Sequence, residues 1–324
     1  MIYTLHRRHI KYFLDNTLKK YYKPNAVFET AKISKEFEEH LENLDDEKLI
    51  EYLLYSIYIP DEYKHDSAEE TLFTKLIEVL VSHFFKRLGL DSEYITTKSG
   101  REDVTIYFEN EREQAIVSDV KTFRLGRSQQ APNVKDFVKP SDFETEWASK
   151  HKSCFGGLIV FPRTHEWQKN SQVYAYCSNP RFPILMLTYT HLVLLLKYKE
   201  DFSKEDLKSL WDYCYFKDPN SKVKSSYWTS VDTKLINILN LPREEYYSQL
   251  TNYENLVKHN IELIVKEYLQ EIKNHANELE YKVNKMNHST LKEEYVKVKT
   301  IYDTEGLQKS IHNIQKHRLK NTKK

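Results

Sequence analysis

Apolar positions recur every three or four residues over the first 88 residues of this chain, shift to short strand-like runs between 103 and 188, and return to helical spacing beyond 240. Residues 1–65 therefore read as helical, and within Ser34–Leu54 the positions Phe37, Leu41, Leu44, Leu49, Tyr52 and Leu53 are roughly helical in spacing. Ser67–Leu88 is the best-specified helix. Ser67 and Glu70 form an S-x-x-E capping pattern, Phe73, Leu76, Ile77, Leu80 and Phe84 form its apolar stripe, and Gly89 supplies a stop. Strands are expected at about 103–108, 114–121, 157–161, 173–177 and 183–188. Asn252–Leu279 reads as a long polar helix suited to packing on a core or pairing with a second copy.

The glycines agree with this division. The chain has six, and Gly89, Gly100, Gly126, Gly156 and Gly157 all fall in the middle, where a sheet needs its turns. These patterns predict helical flanks around a sheet-bearing middle, an α/β fold. The expected organisation is an N-terminal helical region over 1–65, a core over 66–215 and a C-terminal helical region over 216–324, assembled as one compact unit.

Composition narrows the function classes. With 324 residues, 40% hydrophobic and 30% charged, the chain suits a soluble globular protein. No run approaches the ~20 apolar residues of a membrane span, and the N-terminus MIYTLHRRHIKYFL lacks a signal-peptide pattern. Cys154, Cys177 and Cys214 form no CxxC, which suits reduced thiols and a cytoplasmic location. The net charge of +1 argues against a generic polyanion binder, so a nucleic-acid site has to be built from local clusters. One such cluster, Lys121, Arg124, Arg127, Lys135 and Lys139, contains a single acid, Asp136.

That basic stretch directly follows an acidic constellation. In SGREDVTIYFENEREQAIVSDVK, Asp103 opens one strand-like run while Asp119 and Lys121 end the next. Residues two apart on a strand share a face, so an acid and an amine are presented side by side. Charges at the end of a buried strand are costly unless they bind something. Two carboxylates suffice to hold Mg²⁺, which keeps several waters, and the Val120 carbonyl is a third candidate ligand. A hard cation near a lysine is the chemistry of phosphodiester cleavage. Lys121 would orient or deprotonate water, or bind phosphate; the sequence leaves these roles open. Glu78, mid-helix, is either a surface acid or a further carboxylate for this site. Arg124 and Arg127 would grip flanking phosphates. In the polar loop beyond them, Ser128, Gln129, Gln130 and Asn133, with Lys135 and Lys139, are the candidate DNA contacts; the amides are either solvated, as loop amides more often are, or read adenine edges. Phosphate loops, G-x-G-x-x-G, H-E-x-x-H and G-x-S-x-G motifs are all missing from the sequence.

The order Asp103, then Asp119-Val120-Lys121, resembles the PD-(D/E)xK nuclease signature, with Glu102 where a proline usually stands. SDVKTFRLGRSQQAPNVKDFVK resembles more closely the core of the HindIII family of type II restriction endonucleases, and ETLFTKLIEVLVSHFFKRLGL resembles the helix before that family's first acid. The resemblance spans roughly residues 70–215, and SQQAPN departs from the family in detail. It implies a restriction-endonuclease-like core with a mixed central sheet flanked by helices, and a Mg²⁺-dependent homodimer. The implied reaction is cleavage of double-stranded DNA at AAGCTT, leaving 5′ overhangs, with a cognate DNA methyltransferase in the same system. It also implies catalytic roles for Asp103, Asp119 and Lys121. A repair or recombination nuclease of the same fold, or a non-catalytic DNA-binding protein, are the alternatives.

Overall fold

The computed structural model describes residues 8–21, 29–96, 100–109, 112–124, 139–164, 167–212, 216 and 222–300. Contacts divide the chain into two units, Met1–Leu263 and Ile264–Lys324.

The first unit is built on a five-stranded mixed sheet of order β2-β3-β4-β6-β7. β2 (Asp91–Tyr94), β3 (Val104–Tyr107) and β4 (Gln114–Val120) are antiparallel neighbours, whereas β4, β6 (Ser153–Phe161) and β7 (Ile184–Thr188) run parallel. Every residue of β3 and β7 is buried, as is nearly all of β4. That explains their near-continuous apolar sequences, since strands covered on both faces lose polar alternation. The mixed sheet flanked by helices is the α/β architecture expected from the sequence.

Five helices precede or cover this sheet: α1 (His9–Tyr21), α2 (Thr30–Glu42), α3 (Asp46–Tyr55), α4 (Ala68–Arg87) and, after β6, the short α5 (Gln172–Cys177). α6 (Tyr189–Lys197) follows β7 directly, and α7 (Lys204–Lys208), α8 (Lys224–Ile238) and α9 (Arg243–Asn284) come after it. α4 forms as its sequence specifies: the Ser67 hydroxyl accepts from Glu70 N–H at 3.2 Å, and Gly89, at φ 79°, ends the turn that follows Leu88. The helix buries Leu72, Phe73, Leu76, Ile77, Leu80 and Phe84 among residues of the main core. A two-residue parallel pair joins β1 (Tyr58–Ile59) to β5 (Phe123–Arg124).

One expectation is corrected. Residues 173–177 form helix α5 rather than a strand. Ser171 accepts from Val173 N–H, and the buried positions Val173, Tyr174 and Cys177 have helical spacing. The helical spacing over Ser34–Leu54 is carried by two helices. α2 ends at Asn43, and Asp45 starts α3 by accepting from Lys48 N–H at 2.7 Å. β2 was not among the expected strands.

β6 carries the glycine pair. A Cβ on Gly156 would lie 2.5 Å from Trp211 Cδ1 and 2.8 Å from the Pro183 carbonyl oxygen, and one on Gly157 would lie 2.5 Å from Phe143 Cδ1. Trp211 Nε1 also donates to the Gly157 carbonyl at 2.7 Å. Close approach of an indole and a phenyl ring to the strand is what requires glycine here.

Candidate active site

The carboxyl end of β4 carries Asp119, Val120 and Lys121, and the antiparallel pairing of β3 with β4 brings Asp103 beside them. Asp103 N–H donates to the Ser118 carbonyl at 2.9 Å, and Val120 N–H donates to Asp103 Oδ2 at 2.8 Å. Lys121 Nζ lies 2.7 Å from Asp119 Oδ2. The backbone of Lys121 is held by the sheet, its N–H donating to the Val160 carbonyl at 2.7 Å. The side chain of Asp119 is 8% exposed and that of Lys121 21% exposed, so the pair sits at a partly open sheet end.

Glu78 joins from the middle of α4. It is buried and ion-paired with Lys75, three residues earlier on the helix. Lys75 Nζ also donates to the Ile95 carbonyl at 2.7 Å, which anchors the pair to the chain just after β2. Burial pushes the Glu78 carboxyl up to about 7; the Asp119 charge adds to this, against the opposing pull of Lys75 and Lys121. Asp103 is raised well above the ordinary aspartate range, first by burial and then by Glu78 and Asp119, with the Val120 N–H and Lys121 opposing. Three carboxyl groups thus share one field, and bringing them together without a cation favours protonation.

The donor set tests the expected metal. All three side chains offer oxygen, the ligand preferred by Mg²⁺, and their mutual repulsion is what a divalent cation relieves. Among the described residues no three His, Cys, Asp or Glu side chains form a preassembled metal cluster. A site of one or two carboxylates completed by water and phosphate oxygens is compatible with that.

Tyr189, at the start of α6, neighbours this cluster from the core. It is fully buried, its hydroxyl lies 3.5 Å from the Lys121 carbonyl oxygen, and burial followed by the charges of Asp103 and Glu78 raises it well above the ordinary phenol. Sequence reasoning missed Tyr189 because nothing local connects it to β4. It also missed the partners of Glu102. That side chain is 0% exposed, its Oε1 lying 2.8 Å from His151 Nε2 and accepting from the Thr105 hydroxyl at 3.0 Å. Burial raises this carboxyl, yet bonds from His151, its own backbone and Thr105 leave it below the ordinary glutamate range. Lys75 was legible in principle, three residues from Glu78 on one helix face.

Arg124 takes a different place from the one expected. Its side chain is 7% exposed and turned inward: Nη2 lies 2.9 Å from Glu70 Oε1, Nε donates to the same oxygen at 3.0 Å, and Nη1 donates to the Pro60 carbonyl at 3.2 Å. Two guanidinium nitrogens converge on one carboxylate oxygen, a charge-assisted contact that ties the sequence after Lys121 to the N-terminus of α4. Lys139 is exposed. Arg127, Ser128, Gln129, Gln130, Asn133 and Lys135 lie outside the described residues.

A mixed sheet that offers an acid, an acid and a lysine at one strand end, backed by a carboxylate-bearing helix, defines a restriction-endonuclease-like α/β protein. The chain matches the HindIII restriction endonuclease family over residues 16–312, and it belongs to that family. The type II restriction enzyme HindIII of Haemophilus influenzae is 26% identical over 156 residues, covering 48% of this chain and 49% of that enzyme. The chain thus spans about half the length of the curated relative it matches.

Proposed function

We propose that this protein is a type II restriction endonuclease that hydrolyses phosphodiester bonds in double-stranded DNA with Mg²⁺. The observation that carries the reading is the convergence of Asp103, Asp119 and Lys121, with Glu78 in the same electrostatic field. Family membership supports it, and so does the name of the Haemophilus influenzae relative. Within this reading the target is a short palindrome, AAGCTT, cut to leave 5′ overhangs, and the enzyme works as a cytoplasmic homodimer beside a cognate DNA methyltransferase. No helix among the described residues is long and apolar enough to cross a membrane.

Asp103 and Asp119 would hold Mg²⁺, with the Val120 carbonyl as a further ligand. The bound ion supplies an activated water and charge stabilisation on the phosphate. The protein's own groups do the rest. Val120 N–H fixes one Asp103 oxygen, and Lys121 places an ammonium beside Asp119, where it orients water or meets the phosphate oxygens. Glu78 would bring a further carboxylate to the cluster from the middle of α4. Buried Tyr189 closes the inner side against water.

Incubation of phage DNA with the protein and Mg²⁺, followed by sequencing of the fragment ends, tests this. Discrete fragments with one common 5′ overhang are expected. Degradation from DNA ends or at branched structures would instead favour a repair nuclease, and intact DNA would reject catalysis.

A further inference from the structure

Among the described residues of the second unit, an apolar seam is left exposed. From Ile264 the last half of α9 continues to Asn284, and helix resumes over 288–300 after a turn capped by Asn287, whose Oδ1 accepts from Thr290 N–H at 2.9 Å. Along α9, Val265, Leu269, Ile272, Ala276, Leu279 and Val283 are spaced alternately four and three residues apart. That is the heptad spacing of a coiled-coil seam. Val265 is 48% exposed, Leu269 61%, Ile272 66%, Leu279 47% and Val283 41%. Helices gain most of their stability by burying such a stripe, so one left open by the described residues calls for a surface to pack against.

We propose that this seam pairs antiparallel with the same seam of a second copy of the chain. The argument is self-complementarity. With a two-fold axis level with Asn274, Val265 meets Val283 of the second copy, Leu269 meets Leu279, and Ile272 meets Ala276. Each layer is then matched in volume, and the large isoleucine fills the space that alanine leaves. A parallel pair would set Ile272 on Ile272 and Ala276 on Ala276, crowding one layer and hollowing the next. Charge agrees. Positions flanking one side of an antiparallel seam face their equivalents, so Lys266 lies beside Glu280 of the second copy, twice by symmetry. Lys273 meets itself near the axis, an exposed repulsion that salt screens. A parallel pair would bring neither Lys266 nor Lys273 to a carboxylate across the seam. The ring of Lys266, Glu267, Glu271, Lys273, Glu278, Glu280 and Lys282 around the stripe suits a protein partner rather than hydrocarbon.

This deepens the homodimer of the proposed function and rests on that part of the reading alone. Sedimentation of the full chain across micromolar concentrations is the test. The wild type should sediment as a dimer, and Leu269→Glu/Ile272→Glu should weaken association by at least about a hundredfold. Lys266→Glu alone should weaken it, and adding Glu280→Lys should restore it, with helicity followed by circular dichroism as a folding control. A Val265→Cys/Val283→Cys chain should form a covalent dimer on oxidation that the wild type does not. A Leu269→Glu/Ile272→Glu chain that stays dimeric overturns the seam while leaving the homodimer intact. A wild type that is monomeric at every concentration overturns the seam and the homodimer together, while cleavage of phage DNA is scored separately.

Discussion

Asp103 accepts a hydrogen bond from the backbone N–H of Val120 at 2.8 Å, so the first acid is locked to the residue between Asp119 and Lys121. The two parts of the acid–acid–lysine set, 16 residues apart in sequence from Asp103 to Asp119, are thereby held as one rigid unit across a single antiparallel strand pair. Rigid placement of charged groups on strands is what electrostatic stabilisation of a phosphoryl transition state requires.

Replacement of Asp119 or Lys121 by alanine is therefore expected to reduce Mg²⁺-dependent cleavage by about a thousandfold or more, because metal and charge contributions are each worth several kcal/mol. Binding to the uncut site should survive, since phosphate and base contacts elsewhere remain. Single-turnover digestion together with gel-shift titration separates the two effects. Wild-type cleavage by either variant would refute the site.

The Glu78 carboxyl gives stability a pH dependence of defined sign. Its folded value of about 7 lies above the ordinary 4.5, so between these values the folded chain holds a proton that the unfolded chain has lost. Its contribution is complete below about pH 4.5 and disappears as pH rises through about 7. Melting temperatures measured in EDTA should therefore carry a component that falls across this window and is missing in Glu78→Gln. Mg²⁺ should stabilise more at the alkaline end. A wild type and a Glu78→Gln variant with superimposable pH profiles would contradict the assignment.

Arg124 provides a second check. Removing one partner of a buried ion pair leaves the other uncompensated, so Arg124→Ala should cost about 3 kcal/mol in urea unfolding. Because its guanidinium faces Glu70 and not solvent, the dependence of DNA affinity on salt should keep its slope. A slope reduced by about one unit would show that this arginine swings out to a phosphate in the complex.

Glu102 occupies the position before the first acid and is held by His151 and Thr105. Glu102→Ala should lower stability by about 3 kcal/mol, because His151 and Thr105 are left without their buried acceptor. Glu102→Gln, which keeps the shape and an acceptor, should lose less. Equal melting of both variants and the wild type would show that the pair contributes nothing.

The sequence was most legible where local signals and the fold agree. The cap of α4 could be read from Ser67 and Glu70, and the strand ends bearing Asp103 and Asp119 from apolar runs bounded by charge. Residues 173–177 misled because VYAYC is rich in β-formers, and only the surrounding core shows that Val173, Tyr174 and Cys177 face one way. The break near Asn43 was hidden by apolar residues continuing on either side. Arg124 and Tyr189 were illegible for another reason: each is defined by a residue far away in the chain, Glu70 for one and Lys121 for the other. No spacing rule encodes such meetings.

Helix α4 touches nearly every feature of the site. Its first turn holds Arg124 through Glu70, and its middle carries Glu78 and Lys75. At its last turn Arg87 pairs with Asp46 of α3 at 3.1 Å and, through Nη2, donates to the Leu41 carbonyl of α2 at 3.2 Å. The helix thus behaves as a lever pinned at both ends, and a small tilt at either end would be felt at the carboxylate between them. Weakening the Ser67 cap, distant from the chemistry in sequence, should register in the catalytic rate before it registers in folding.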